Sequence, residues 1–199
     1  MGVRPVMARH AVSLIALRDG THVLMGLRGA RHRFMPNRLV FPGGAVDRGD
    51  ARAEASVEPG AETLARLARA ANQGLARALC VAAARELEEE TGLSLGSPPD
   101  LSGLQYLCRA VTPPPQPVRF NARFLVVDAA RLTGTLAGSG ELEDLRWYAI
   151  ADALALDLAL VTGEVLRVLQ AWLALSAEAR QARANTPVFR LRRWGEEHR

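Results

Sequence analysis

The sequence predicts an α/β fold in which helices cover both faces of a mixed β-sheet. Two apolar runs at residues 11–17 and 22–27 flank an Asp-Gly pair, which is typical of a β-hairpin. A stretch rich in Ala, Leu, Arg and Glu predicts a helix over about residues 75–91. Apolar side chains recur at helical spacing near the carboxyl end and predict a second helix over about residues 164–179. The breadth of that apolar stripe indicates packing in the core, with a homodimer contact as the alternative.

Shorter elements are predicted between and after these segments. Strands are expected at residues 39–41, 104–111, 122–127 and 141–150, because apolar runs there are bounded by Pro and Gly. Residues 186–199 are too short and too charged a segment to classify. With 199 residues, the chain is expected to form a single domain over 1–199 with a full core.

Composition narrows the classes of partner. The sequence contains no lysine, so all 25 basic residues that give the net charge of +4 are arginines. They are interleaved with acids and accompanied by few aromatics, which argues against a nucleic-acid partner, whereas arginine suits a phosphorylated small molecule. No apolar run is long enough to span a bilayer, so no membrane partner is expected. Cys80 and Cys108 form no metal-binding or redox motif, which favours a reducing cytoplasm.

Acidic residues crowd the last two turns of the helix predicted at residues 75–91. Glu86, Glu89 and Glu90 share one face because residues three and four apart are neighbours on a helix, and Glu88 points away. The repulsion and the unfavourable helix dipole together cost on the order of 1–3 kcal/mol. Bound Mg²⁺ or Mn²⁺ would reverse that cost, since these cations prefer oxygen ligands. The alternative is a solvated helix face, and Arg85, four residues before Glu89, is placed to pair with that acid.

The same residues carry a resemblance. RELEEETGL at 85–93 looks like the second half of the Nudix box, and Gly44, followed by five residues and Asp50, resembles its first half with aspartate in place of glutamate. The two halves are separated by residues 51–84, a much longer spacer than the family usually has. We therefore expect a helical insertion at about residues 51–77, packed as a small flap beside the site. Such an insertion is tolerated because loop-closure entropy grows slowly with length.

The resemblance implies a Nudix-like α/β/α sandwich with a metal-dependent hydrolase site. The metal ligands it implies are Glu86, Glu89, Glu90 and the backbone carbonyl of Gly44, holding Mg²⁺ or Mn²⁺. Arg85 would orient one of the acids. Glu86, Glu89 or an acid of a later loop, for which Glu141 is favoured over Glu143, would activate the attacking water.

A second motif lies upstream of the box. Arg28, Arg33 and the FPGG run that begins at Phe41 resemble the arginine-bearing motif of coenzyme A diphosphatases, closest to a peroxisomal-type branch with a long insertion. This implies that Arg28, Arg33 and Phe41 contact substrate; solvated loop charges are the alternative for the two arginines. The expected reaction is cleavage of the diphosphate linkage in a nucleoside-diphosphate derivative such as coenzyme A or acyl-CoA. The alternatives are an ADP-ribose, NADH or other nucleotide pyrophosphatase, and a non-catalytic Nudix-fold regulator.

Overall fold

The structure is a computed structural model, and it describes residues 6–29, 35–114 and 116–197. The strands are β1 (Arg9–Arg18), β2 (His22–Arg28), β3 (Leu39–Val40), β4 (Gly43–Ala45), β5 (Leu93–Ser94), β6 (Gln105–Val111), β7 (Phe120–Asp128), β8 (Thr133–Gly134), β9 (Leu142–Ala149), β10 (Thr186–Arg190) and β11 (Arg193–Glu197). The α-helices are α1 (Ala61–Leu67), α2 (Gln73–Thr91), α3 (Ile150–Leu154), α4 (Leu160–Leu173) and α5 (Ala177–Ala182).

The main sheet is mixed, as the sequence predicts. Its strands follow the order β11-β10-β6-β7-β1-β2-β3, with β4 also paired to β1 and β9 to β2. The β1–β7 and β6–β10 pairs are parallel, whereas β1–β2 and β6–β7 are antiparallel. The predicted hairpin is confirmed, and its turn residues Asp19 and Gly20 both have the positive φ that such a turn requires.

Two apolar clusters cover the two faces of the sheet. Because side chains alternate along a strand, Leu14 of β1 joins the cluster that contains Leu79 of α2, and Ile15 joins the cluster that contains Val165 of α4. The α/β/α sandwich is therefore confirmed, with α2 on one face and α4 on the other. Among the described residues, no helix is long and apolar enough to cross a bilayer.

The helix that bears the acids starts two residues earlier than the sequence predicts. Asn72 caps it by accepting a hydrogen bond from the Leu75 amide at 2.8 Å, and Gly92 ends it in the left-handed conformation. Residues 73–77, which the sequence analysis assigned to the insertion, are thus the first turn of α2.

The rest of the insertion is less helical than expected. Only α1 and a short 3₁₀ turn at 68–70 are helical, while residues 51–60 form turns and extended chain. This part of the chain is tied down locally, because the Thr63 hydroxyl donates to the Leu104 carbonyl at 2.8 Å and Arg66 donates to the carbonyls of Arg180 and Gln181.

The carboxyl-terminal region differs most from the sequence prediction. The helix expected at residues 164–179 is two helices, α4 and α5. Ser176 caps the start of α5, and its hydroxyl accepts from the Ala179 amide at 3.1 Å. The tail that the sequence left unclassified forms the β10–β11 hairpin, which extends the sheet beyond β6.

Candidate active site

The acidic end of α2 opens into a cavity of about 740 Å³ on the α4 side of the sheet. The cavity brings together most of the site residues that the sequence predicts, namely Glu86, Glu89, Glu90, Glu141, Arg28, Phe41 and Gly44. Arg33 lies outside the described residues, and Arg85 stands behind the acids without lining the cavity. The catalytic, binding and metal-ligating roles of these residues remain predictions.

Two glycines of the loop before the insertion let the acids reach the cavity. A Cβ on Gly44 would lie 2.3 Å from Oε1 of Glu86, so a larger residue here would displace that carboxylate from its place. The Gly43 amide donates to Oε2 of Glu90 at 2.7 Å. The backbone at Gly44 therefore lies close against Glu86 of α2, which favours glycine at position 44.

Arg85 holds three acids at once. Its Nη1 donates to Oε1 of Glu86 at 2.9 Å and to Oε2 of Glu89 at 3.0 Å, while its Nε donates to Oδ1 of Asp50 at 2.9 Å. Hydrogen bonding to Asp50, the strongest influence, raises the pKa of Arg85 further. The guanidinium therefore offsets much of the repulsion that the sequence analysis assigned to the acidic cluster.

Asp50, whose role the sequence left open, contacts Arg85. Its side chain is only 4% exposed, and its Oδ2 accepts from the Asp47 amide at 2.7 Å and from Nη2 of Arg85 at 3.2 Å. Aspartate, although shorter than the family's usual glutamate, thus spans from the loop to Arg85 with both oxygens used. The sequence showed only that Asp50 ends the first half of the box. The distance between Asp50 and Arg85 depends on how the loop that holds Asp50 packs against α2.

Burial changes the protonation of two of the acids. Burial, opposed by the hydrogen bond from the Gly43 amide and reinforced by the nearby Glu86 carboxylate, raises the pKa of Glu90 to about 7. It also raises the pKa of Glu86, an effect that Arg85 opposes and that Glu89 and Glu141 reinforce. Both carboxyl groups consequently favour the protonated form more than an exposed glutamate does.

This burial predicts that the metal-free protein loses stability as pH rises. The folded pKa of Glu90 is about 7 and its ordinary value is 4.5, so folding takes up a proton between these values. The free energy of unfolding should therefore fall by up to about 3 kcal/mol through that window and level off above it. Urea unfolding with a chelator present, from about pH 5 to pH 8, measures this change.

The Glu90→Gln variant is the control for that prediction. Its amide oxygen can still accept from the Gly43 amide but does not titrate, so most of the slope should disappear. An unchanged slope in this variant would assign the pH dependence to other groups.

Glu141 and Arg28 are two further charged residues that line the cavity. Glu141 lies in the loop before β9 and raises the pKa values of Glu86 and Glu90 electrostatically, whereas Glu143, the other acid considered, does not line the cavity. Arg28 donates from Nη2 to the Gly43 carbonyl at 3.4 Å, and its buried Nε has no hydrogen-bond partner among the described residues. The guanidinium of Arg28 thus lies in the same cavity as the acidic group and lowers the pKa of Glu90 electrostatically.

The insertion does not form a flap beside the site, contrary to the sequence prediction. Residues 51–77 are all described, and none of them lines the cavity. Glu58 of this segment instead pairs with Arg77, near the amino end of α2, and the Ser56 amide donates to the Pro99 carbonyl at 2.9 Å. Its buried polar side chains have backbone partners there, since Thr63 donates to the Leu104 carbonyl just before β6 and Arg66 donates to the Arg180 carbonyl of α5.

Sequence reasoning also missed the residues that line the cavity on the far side. Phe120 and Phe124 of β7, Phe189 of β10, and Leu191 and Arg192 in the β10–β11 turn face the same space as the acids. Phe189, Leu191 and Arg192 carry no signal in the sequence, since they reach the cavity only when β10 pairs with β6.

The donor set fits a hard divalent cation. The carboxylates of Glu86 and Glu89 and the backbone at Gly44 offer oxygen ligands, and the absent Cβ of Gly44 keeps Glu86 against the loop. Among the described residues, no three acidic, His or Cys side chains already converge as a metal cage. Arg85 and the Gly43 amide hold the carboxylates instead, so a cation would have to compete with Arg85 for oxygens of Glu86 and Glu89.

Comparison with known proteins agrees with this geometry. Residues 78–169 match the model of the NUDIX domain, a segment that holds the acidic end of α2 and Glu141. Residues 78–169 are therefore similar to a Nudix domain. The match begins after the insertion, which separates Gly44 and Asp50 from the rest of the box in sequence although they touch it in space.

One protein sequence and two solved structures illustrate what this chain is similar to. A Caenorhabditis elegans protein that bears the name nudix hydrolase 7 is 51% identical over 45 residues, which are 22% of this chain and 15% of that protein. The crystal structure of a Nudix hydrolase from Alicyclobacillus acidocaldarius superposes with a TM-score of 0.66 at 27% identity, covering 89% of this chain and 96% of that one. A MutT Nudix hydrolase from Burkholderia pseudomallei shares the fold, with a TM-score of 0.54 at 21% identity over 81% of this chain and 98% of that one.

Proposed function

We propose that this protein is a metal-dependent diphosphohydrolase that cleaves the diphosphate linkage of a nucleoside-diphosphate derivative, with coenzyme A or acyl-CoA as its substrate. The observation that carries this proposal is the cavity in which Glu86, Glu89, Glu90 and Glu141 face Arg28. Oxygen ligands for a divalent metal and an arginine that can bind an anionic substrate lie in one cavity. Hydrolysis of a diphosphate requires both. The similarity to a Nudix domain supports the same reaction class.

We assign a metal-binding or a positioning role to each of these side chains. When bound, Mg²⁺ or Mn²⁺ would neutralise the diphosphate and lower the pKa of a water molecule. Glu86 and Glu89, with the Gly44 carbonyl and Glu90, would hold the cation. Arg85 positions Glu86 and Glu89, and Asp50 fixes Arg85 in turn.

Glu89 is the residue best placed to accept the proton of the attacking water. Its side chain is 57% exposed at the cavity, whereas Glu90 is almost fully buried and bonded to the Gly43 amide. The guanidinium of Arg28, which lines the cavity, would bind an oxygen of the substrate's phosphate and hold it against the acids. We therefore propose Glu89 as the general base because its side chain is exposed and lines the cavity.

Support for coenzyme A comes from two features. Arg28 and Phe41, the described members of the arginine-bearing motif, both line the cavity. Much of the remaining lining is apolar, which suits a substrate with an aliphatic part better than one that is polar throughout. An ADP-ribose, NADH or other nucleotide pyrophosphatase remains the alternative enzyme.

A substrate panel tests the proposal. The purified protein is incubated with Mg²⁺ or Mn²⁺ and coenzyme A, ADP-ribose, NADH, a diadenosine polyphosphate or a nucleoside triphosphate. We expect a nucleoside phosphate and a second phosphorylated product from coenzyme A, and no turnover when the metal is chelated. Cleavage of ADP-ribose or NADH alone would support the alternative enzyme, and no cleavage of any compound would support a non-catalytic regulator.

A further inference from the structure

The cavity is much longer than a diphosphate. It starts at β4, passes over β1, β7 and β6, and ends at the turn that follows β10, as the pairs Val12–Gly44, Ser13–Phe124, Ala110–Ala122 and Ala110–Phe189 show. Neighbouring strands lie about 4.8 Å apart, so four spacings separate β4 from β10 by about 19 Å. A substrate cleaved at the acidic end therefore has room for a long arm across the sheet.

The far end of the cavity differs in chemistry from the acidic end. Val111, Phe120, Phe189 and Leu191 give it apolar walls, and Arg192 supplies a cation. Within the described lining, all four carboxylates belong to the acidic end. The far end thus suits an aliphatic chain that carries acceptor oxygens, for which an arginine offers donors.

The turn at that end has an unfavourable backbone. Leu191 and Arg192 have φ values of 49° and 64°, the left-handed region that two-residue hairpin turns usually fill with Asn and Gly. A leucine that is 67% exposed adds a second unfavourable feature, because its apolar surface faces water. Both side chains line the cavity, so a ligand contact there would offset costs that the hairpin itself does not require.

The hairpin is held firmly enough to present this turn in one place. Nε1 of Trp194 donates to Oε2 of Glu164 on α4 at 2.7 Å. Arg109 of β6 pairs with Glu197 of β11 at 2.6 Å, and both side chains are less than a tenth exposed. The turn is therefore part of a rigid wall, which is what a binding subsite needs.

We propose that Leu191 and Arg192 form a specificity-determining subsite that binds a flexible, mainly aliphatic arm of the nucleoside-diphosphate substrate. Leu191 contacts the methylene groups of the arm and Arg192 donates to its acceptor oxygens. This inference rests on the proposed hydrolysis. It adds that the protein distinguishes between substrates by the group attached to the second phosphate. Substrates with a short, polar arm leave the subsite empty.

The test replaces both turn residues while keeping the turn. In the L191N/R192G variant the side chains are exchanged for the pair that this turn favours, so the thermal midpoint should not fall. Dephospho-coenzyme A and ADP-ribose share the ADP half and differ in the arm. We expect KM for dephospho-coenzyme A to rise about tenfold, with kcat and the ADP-ribose kinetics within about twofold of wild type.

The Arg193→Gln variant is the matched control. It removes the same charge one residue further along, at a position that does not line the cavity, and should leave both substrates unaffected. Equal losses for the two substrates in the turn variant would show that the turn contacts the shared ADP half, which overturns the arm assignment. Unchanged kinetics for dephospho-coenzyme A would overturn the subsite itself.

A binding measurement separates this inference from the proposed function. Calorimetry with dephospho-coenzyme A in the Glu89→Gln background reports affinity whether or not the protein hydrolyses anything. A rise in Kd of about tenfold on replacing the turn supports the subsite even if no turnover is found. Equal affinities would refute it even if the wild-type protein hydrolyses the compound.

Discussion

Replacing Glu89 by Gln is expected to lower kcat about 1,000-fold, the usual effect of removing an acid–base group. The change removes a proton acceptor and a charged oxygen ligand from the cavity without altering the shape of the side chain. Because Glu89 is 57% exposed, its ion pair with Arg85 stabilises the fold by no more than about 1 kcal/mol. Initial rates with saturating Mg²⁺ and a thermal unfolding curve give both quantities.

Glu88 supplies the control for this experiment. It is the preceding residue on α2, it is exposed, and it does not line the cavity. Glu88→Gln changes the net charge identically and should leave kcat within about twofold of wild type. If Glu89→Gln kept full activity, or if both variants lost activity equally, the assignment of the acidic face would be wrong.

Replacing Arg85 by Ala should cost both activity and stability. Asp50, which is 4% exposed, would lose the charge that both its oxygens contact, and Glu86 and Glu89 would lose their shared partner. Removing one partner of a buried ion pair costs about 3 kcal/mol, which lowers the thermal midpoint by roughly 10 °C in a domain of this size. Urea unfolding without metal measures the loss.

Two further variants show whether the effect belongs to this cluster. Arg77 on the same helix pairs with both oxygens of Glu58, but that carboxylate is 55% exposed, so Arg77→Ala should cost less than about 1 kcal/mol. The Arg85→Ala/Asp50→Ala double variant should lose less free energy of unfolding than the sum of the two single variants. Each single variant leaves a charged side chain unpaired, whereas the double variant removes both charges. Additive losses would mean that Arg85 and Asp50 act independently.

The acidic part of the candidate site was predictable because it is local. Residues 85–91 lie on one helix, whose period alone places Glu86, Glu89 and Glu90 on one face and Arg85 within reach of Glu89. The role of Asp50 was not predictable, because its distance from Arg85 depends on how the loop packs against α2 after a long insertion. The position of that insertion was wrong for the same reason, since its composition does not show which end of the helix it covers.

The fold was predictable where the pattern repeats over many residues. The β1–β2 hairpin and the long helices show clear apolar periodicity, whereas β10 and β11 have only five residues each. Of these two strands, β10 pairs with β6 from far along the chain, and β11 pairs with β10. This pairing decides the far wall of the cavity. The Leu191–Arg192 subsite therefore had no signal in the sequence.

The sequence by itself determined the class of fold, the acidic face of α2 and the glycines that approach it, because helical period and turn chemistry depend on neighbouring residues. Tertiary structure alone decided what surrounds that face: Asp50 behind Arg85, Glu141 and Arg28 around the acids, and the hairpin about 19 Å away across the sheet. These groups are distant in the chain and meet through strand pairing and burial, and those same contacts set the pKa of Glu90 and the length of the cavity.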